Sequence, residues 1–374
     1  MQSYRLNFNY LIDSPLYNLE QLPPDQKQAY SKIIDSIVCR FNNLDFQTYD
    51  KAYSVIIDGH WGVGKSTLKN LIVNKLFNYK NHPGQMAKWG EHLFFWTQNY
   101  SKTSDDNFVW VEFNPWILGT SEDIILDFFK LLNTTLKKHY GSGLDINLKQ
   151  FVSSISPTLT GLSQYTGFEF NFGGLARADS ANHTFERLKE RLSNIPQKII
   201  ISIDDIDRME PETILTVIKL ISITGNLPNL IFVLTLDYTI IEPILKEKLG
   251  DRYAHYLEKI IQAKYIVPLL TFDDKCYIIT ECLTQYYGWD GDNVNKAIDQ
   301  VKNIVDKYPQ SNPRQIKRLA FEVIHHCDLN SNTDKMEAFL DLDSKEFIKN
   351  YLDKQIHPTP LNDLPKTDLR FRHT

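Results

Sequence analysis

The stretch that most constrains this chain is Gly59-His60-Trp61-Gly62-Val63-Gly64-Lys65-Ser66-Thr67, which reads G-x-x-x-x-G-K-S. Glycines at these spacings let the backbone curl until successive N–H groups converge on an anion. Lys65 brings a compact positive charge suited to the β- and γ-phosphates of a polyphosphate. Ser66 supplies a hydroxyl for Mg²⁺. The helix expected to follow presents the positive end of its dipole to the same anion. The flanks agree with this reading. Tyr53 to Asp58 reads as a buried strand, and Ser66 to Phe77 as a helix with an apolar face. Strand, glycine-rich turn and helix is the order a phosphate-binding loop requires.

A second element completes the chemistry. Lys198 to Ile203 is a run of mostly apolar residues that ends in Asp204-Asp205. Carboxylates at a sheet end repel each other and lose hydration, so an apolar strand rarely finishes in two acids without a use for them. Here Asp204 is expected to enter the Mg²⁺ shell and Asp205 to orient or deprotonate an attacking water. Arg208, just beyond, is expected to form a structural ion pair. Leu230 to Asp237 reads as another buried strand, with Thr235 and Asp237 at its exit, where a residue sensing the γ-phosphate would lie. Phe108 to Phe113 is a strand by its β-branched and aromatic content. It runs into Asn114-Pro115-Trp116, which makes Asn114 a candidate contact for the γ-phosphate or the water. Lys264 to Pro268 is the last strand.

Helical spacing is expected over 26–41, 121–139, with Ser121 as a cap, 185–192, 212–222, 238–249 and 253–261. Strands and helices alternate, so the fold class is α/β, a parallel sheet with helices on both faces. After Thr271 strands disappear. Helices are expected over 273–287, 293–307, 313–327 and 344–354, forming a C-terminal helical lid domain. One of them opens Asn312-Pro313-Arg314-Gln315-Ile316-Lys317-Arg318. Cations in a first turn oppose the helix dipole, which suggests that Arg314 faces an anion.

The expected organisation is a lead-in with a helix at 1–52, a core at 53–268, the lid at 269–355 and a tail at 356–374. Tyr17 to Leu22 in the lead-in is a candidate lining of an adenine pocket. Residues 141–181, rich in Ser, Thr and Gly, read as an insertion into the core. The four cysteines, Cys39, Cys276, Cys282 and Cys327, form no C-x-x-C pair, which favours reduced thiols over a metal site. A net charge of −5 argues against a surface that coats nucleic acid. No apolar run reaches the roughly 20 residues of a membrane-spanning helix, so the expected location is the cytoplasm.

Taken together these blocks resemble the KAP family of P-loop NTPases. The tryptophan-bearing loop at Gly59 to Ser66, Phe113-Asn114-Pro115-Trp116, Ile203-Asp204-Asp205-Ile206-Asp207-Arg208, Tyr256 to Gln262 and Asn312 to Arg318 follow in that family's order. The resemblance implies an additional-strand P-loop NTPase related to the AAA+ and STAND groups, carrying a helical lid in which Arg314 reports nucleotide state. It implies ATP and Mg²⁺ as ligands. Many members carry two membrane helices between the P-loop and the acidic strand, whereas the insertion of this chain is too polar for that. Bacterial members often act in phage exclusion or mobile-element defence beside an effector protein. The expected function is therefore ATP binding and slow hydrolysis used as a conformational switch, with a homo-oligomer or an effector as partner. Arg208, Arg252, Lys259 and Arg318 are candidates for reaching a neighbour's nucleotide. A nucleotide-bound scaffold without turnover, a nucleotide or small-molecule kinase, and a DNA-dependent motor are the alternatives. A kinase needs an acceptor pocket with a positioned base, and no such constellation is found.

Overall fold

The structure, a computed structural model, describes residues 15–46, 48–77, 107–115, 121–143, 149, 152, 178–289, 291–308, 311–329, 334–342, 346–347 and 349–351. It divides into two compact units. Most of the insertion expected at 141–181, Trp116, most of the helix expected at 344–354 and the tail lie outside the described residues.

The larger unit spans Pro15–Leu22 and Lys27–Pro268. Its five strands are β1 (Tyr53–Asp58), β2 (Phe108–Glu112), β3 (Lys198–Ile203), β4 (Leu230–Leu236) and β5 (Ala263–Ile266). Every pairing is parallel and the order across the sheet is β2-β3-β4-β1-β5. Strand β4 thus lies between the strand that leads into the phosphate loop and the strand that ends in the two acids. The helices are α1 (Pro24–Asn43), α2 (Lys65–Phe77), α3 (Ser121–Tyr140), α4 (Ala178–Ser193), α5 (Pro211–Thr224), α6 (Tyr238–Leu249) and α7 (Tyr253–Ile260).

Both faces of the sheet are covered, which is why the strands read as continuous apolar runs. All seven positions of β4 are buried. The two-residue period of a strand sorts the side chains. Val55, Ile57, Trp110, Ile200, Ile231 and Val233 meet Ile34 and Ile37 of α1 and Leu68 and Ile72 of α2 on one face. Ile56, Val109, Val111, Ile199, Ile201, Phe232 and Leu234 meet α3, α4 and α5 on the other, where Phe128 stacks on Phe232 with ring centres 6.2 Å apart. Strand β5 departs from this pattern. It is an edge, its positions alternate between half-buried and exposed, and Lys264 there marks it as an edge kept from further pairing.

Several boundaries differ from the sequence expectation. Helix α4 begins at Ala178 rather than at Phe185. Its first turns, Ala178 to Thr184, carry no large apolar residue, and periodicity had nothing to register before Phe185. Strand β5 starts at Ala263 and ends at Ile266, before Pro268, although the Val267 N–H still donates to Asp58 O at 2.8 Å. Helix α3 begins at Ser121 itself.

One buried residue stands out in the connections. Asn229 enters β4 with φ of 61° and its side-chain amide donates to Leu192 O at 2.7 Å and Ile195 O at 3.0 Å. It ties the end of α4 to the head of the central strand. Asn is among the few residues that take a left-handed backbone at low cost. Asn229→Ala should destabilise the protein by about 2–3 kcal/mol, from two lost buried hydrogen bonds and the backbone strain. Urea unfolding with an unchanged m-value is the measurement.

The second unit is helical, with α8 (Phe272–Tyr287), α9 (Gly291–Asp306), α10 (Pro313–Leu329) and α11 (Lys335–Leu340). Helix α11 has six residues, too short for a periodic pattern, and had no sequence expectation. The core combines Ile279 and Leu283 of α8, Val301 and Ile304 of α9, Ile316, Leu319 and Val323 of α10, and Phe339 of α11. Helix α8 opens with a capping box between Thr271 and Asp274. Pro23–Gln26 belongs with this unit, and the Asp274 carboxylate accepts the N–H groups of Asp25 and Gln26 at 3.2 and 3.3 Å. Cys282 and Cys327 are buried in its core as free thiols, and burial pushes Cys282 up to about 12 and Cys327 up to about 11.

Candidate nucleotide site

The loop of Gly59 to Gly64 is fixed from both sides. The Gly59 N–H donates to Leu236 O of β4, and inside the loop the Val63 N–H donates to His60 O. Gly62 and Gly64 take φ values of 81° and 110°, which side chains rarely adopt. A Cβ on Gly64 would also sit 2.5 Å from the Tyr30 hydroxyl, and one on Gly59 would sit 2.7 Å from Val63 Cγ1. Helix α2 starts at Lys65, and the first helical bond runs from Leu68 N–H to Gly64 O. The N–H groups of Lys65, Ser66 and Thr67 therefore have no acceptor within the helix, which is the condition for an anion at its end.

The side chains around this loop are engaged with one another. Lys65 Nζ donates to Gly59 O at 2.7 Å and lies 3.8 Å from Asp207 Oδ2. Both side chains are nearly inaccessible, at 6% and 3% exposure. Asp207 in turn accepts the Asp237 N–H at 3.2 Å. Asp237 caps α6 by accepting the N–H and hydroxyl of Thr239 at 3.1 and 2.6 Å, and His60 Nδ1 lies 3.0 Å from its other oxygen. A carboxylate only accepts, so His60 carries its proton on Nδ1. Burial alone would raise the Asp237 carboxyl, and the bonds from Thr239 and His60 outweigh it and hold it low. Asp237 was expected at the γ-phosphate. Its carboxylate caps α6 and meets the His60 side chain, because it opens a helix as well as following a strand. The Thr67 hydroxyl oxygen accepts the Leu16 N–H at 3.1 Å, which leaves its O–H and its backbone N–H as donors.

The acidic pair lies at the carboxyl end of β3. Asp204 Oδ1 accepts the Thr235 hydroxyl and, at 3.0 Å, the Asp205 N–H. Its Oδ2 is 2.7 Å from Lys69 Nζ, which is also 3.3 Å from Glu112 Oε2. Burial pushes the Asp204 carboxyl up, and Lys69 and the two donors more than reverse this, leaving it below the usual aspartate range. Burial lowers Lys69, and Glu112 and Asp204 overcome that and raise it. Asp205 is different. Burial first and the Asp204 charge second raise its carboxyl, against Arg208, whose guanidinium lies 3.2 Å away. Its backbone is left-handed, with φ 55° and ψ 39°. A non-glycine residue held there at the mouth of a site is a small store of strain. Arg208 forms the expected ion pair and also covers the Trp61 ring at 5.9 Å. Trp61 itself is half-exposed.

Asn114 lies two residues beyond β2 at the same sheet end, partly exposed, after Phe113 extends the ladder by donating to Ser202 O. In the lead-in, Leu19–Gln21 is a single capped turn, and Asn74 of α2 donates to Tyr17 O. The lead-in therefore docks on α2. Arg314 belongs to the helical unit, on the first turn of α10.

Three residues of this cluster had no expectation from sequence: Lys69, Glu112 and Asp207. Each left a trace. Glu112 is an acid at the end of an apolar strand, as Asp204 is. Asp207 is the third acid of D-D-x-D. Lys69 is one helical turn beyond Lys65, on the same face.

Mg²⁺ and a polyphosphate fit what is here. The glycines carry the φ values that the loop needs, three first-turn N–H groups have no acceptor within the helix, a lysine opens that helix, and an ionised carboxylate with a seryl hydroxyl provides hard oxygen donors. Fold and site define a P-loop NTPase of the additional-strand type. The model of the KAP family P-loop domain matches residues 28–330, and the chain belongs to that family. A phage T7 exclusion protein of Escherichia coli K12 is 24% identical over 265 residues, which cover 66% of this chain. The chain spans about a third of that relative's length, at 34%. Among solved structures, a Walker-type ATPase of Pyrococcus abyssi is similar at 14% identity and TM-score 0.41, covering 94% of this chain and 80% of that one. The Aeropyrum pernix Orc1 protein in complex with DNA follows at 13% identity and TM-score 0.38, covering 95% and 72%. Likenesses of this order carry no argument about function. Among the described residues no helix is long and apolar enough to cross a membrane.

Proposed function

We propose that this chain binds ATP with Mg²⁺ and hydrolyses it slowly, using the nucleotide as a conformational switch in anti-phage or mobile-element defence. The observation that supports this best is a pair of adjacent acids with different partners, Asp204 held by Thr235 and Lys69 and Asp205 facing Arg208. Asp204 is tethered by Thr235, as a metal ligand should be, and burial and the Asp204 charge hold the Asp205 carboxyl beside it above its ordinary range, at the sheet end where an attacking water would lie. The N–H groups of Gly62 to Thr67 and the Lys65 ammonium hold the phosphates. Ser66 and Asp204 hold the metal, which when bound neutralises charge on the phosphate oxygens. Asp205 takes the proton of the attacking water, and Asn114 and Thr235 help to position it. The role of Arg314 in reporting nucleotide state rests on the family resemblance alone. The defence setting rests on the exclusion protein to which the chain is similar.

Slow turnover follows from Asp205. It is one methylene shorter than glutamate, and its carboxylate is shared with Arg208. Asp205→Asn should leave ATP affinity within about threefold and lower hydrolysis by roughly 10²–10⁴. Phosphate release and equilibrium binding, measured side by side, check this. Phage plating on cells carrying wild type, Lys65→Ala or Asp205→Asn then tests the setting. Protection is expected only from wild type. The Asp205–Arg208 pair also favours a second reading, a nucleotide-bound scaffold without turnover, and full protection by Asp205→Asn would select it.

A further inference from the structure

Lys69 does something the phosphate loop does not need. It stands one turn beyond Lys65, is buried, and places its ammonium between two carboxylates from neighbouring strands, 2.7 Å from Asp204 Oδ2 and 3.3 Å from Glu112 Oε2. Asp204 Oδ1 is occupied by the Thr235 hydroxyl and the Asp205 N–H, so Oδ2 is the oxygen not tied to the framework, and Lys69 sits on it. A divalent cation held by Asp204 would compete with Lys69 for that oxygen. An ammonium and a divalent cation at one buried oxygen repel strongly in a low dielectric. Glu112 provides the way out. Its Oε1 is fixed by Trp110 Nε1 at 3.1 Å, its Oε2 faces the same ammonium, and a four-carbon stem lets that ammonium shift without backbone movement.

We propose that Lys69 is the internal counter-cation of the metal site. It neutralises Asp204 while no divalent cation is there and transfers to Glu112 when one arrives. This rests on the reading of Asp204 as a Mg²⁺ ligand. Lys69 and Glu112 are thus positioning residues that set how much metal the site demands. The two variants have opposite signs. Lys69→Met removes the competitor and should tighten divalent binding about tenfold. Glu112→Gln removes the second seat, keeps Lys69 on Asp204 and should weaken it about tenfold. A fixed structural triad predicts weaker binding from both, with lower stability.

The test is a Mn²⁺ titration followed by the EPR signal of the free ion, with a non-hydrolysable ATP analogue and the full chain in excess of it. Thermal melts of the metal-free proteins run in parallel. No Mn²⁺ binding by the wild-type complex overturns the underlying metal reading. Binding that Lys69→Met leaves unchanged or weakens overturns the counter-cation role while leaving that reading intact. Tighter binding by Lys69→Met with weaker binding by Glu112→Gln supports it. Should Lys69→Met fail to fold, Lys69→Gln carries the same expectation. Glu112→Gln decides alone if neither folds: weaker binding with a melting temperature within a few degrees of wild type supports the role, and any other result overturns it.

Discussion

Lys65→Ala should abolish nucleotide binding and, separately, loosen the fold. The first effect follows from the loop. Lysine supplies charge-assisted hydrogen bonds to phosphate worth about 1.5–3 kcal/mol each, so affinity should fall by roughly a hundredfold or more. The second follows from Asp207. That carboxylate is almost wholly inaccessible and has the Lys65 ammonium 3.8 Å away. Removing the ammonium leaves a buried acid supported, among the described residues, by the Asp237 N–H alone, at a cost of about 3 kcal/mol. The double variant Lys65→Ala/Asp207→Asn separates the two effects. It should recover most of the lost melting temperature and none of the ATP affinity. Calorimetric titration with ATP beside thermal denaturation reads both. Restored binding in the double variant would show that Lys65 acts through the fold and not on the phosphates.

Gly64→Ala should be strongly damaging for a single added methyl. At φ 110° the backbone conformation is one that L side chains rarely adopt, with a cost of roughly 1–3 kcal/mol before any contact is counted. The new Cβ would also meet the Tyr30 hydroxyl at 2.5 Å, and Tyr30 is fully buried with nowhere to retreat. The loop is expected to open, displacing the Lys65 to Thr67 N–H groups, and ATP affinity should drop by more than about a hundredfold. Tyr30→Phe removes the clashing oxygen. Gly64→Ala/Tyr30→Phe should regain stability while remaining poor in binding, because the strained φ is still there. Equal stability in the two alanine variants would mean that the Tyr30 clash is not what limits the loop.

Much of the α/β core was legible because its signals are local. The phosphate loop, the apolar runs of β1, β3 and β4, and the helix at Tyr238–Leu249 are each written in consecutive residues. The strand order is not. Nothing in Leu230 to Leu236 says that it lies between β1 and β3, yet that placement puts Thr235 on Asp204 and Asp237 beside His60. The side chains missed by sequence reading share this cause. Lys69 of α2 and Glu112 of β2 meet Asp204, just beyond β3, and Asp207 meets Lys65, only once the sheet is ordered. Asp237 has a double role for a related reason: a residue that follows a strand and begins a helix has two claims on its carboxylate, and here it caps α6 and meets His60.

The central claim is that Asp205 and its neighbours turn over the ATP that the loop binds. Single-turnover phosphate release by the full chain, with ATP and Mg²⁺ and with protein in excess, tests it most directly. Slow release by wild type and release at the uncatalysed rate by Asp205→Asn, with ATP still bound to both, is the expected result. Equal release by the two proteins, or no release from a wild type that holds ATP, would contradict it.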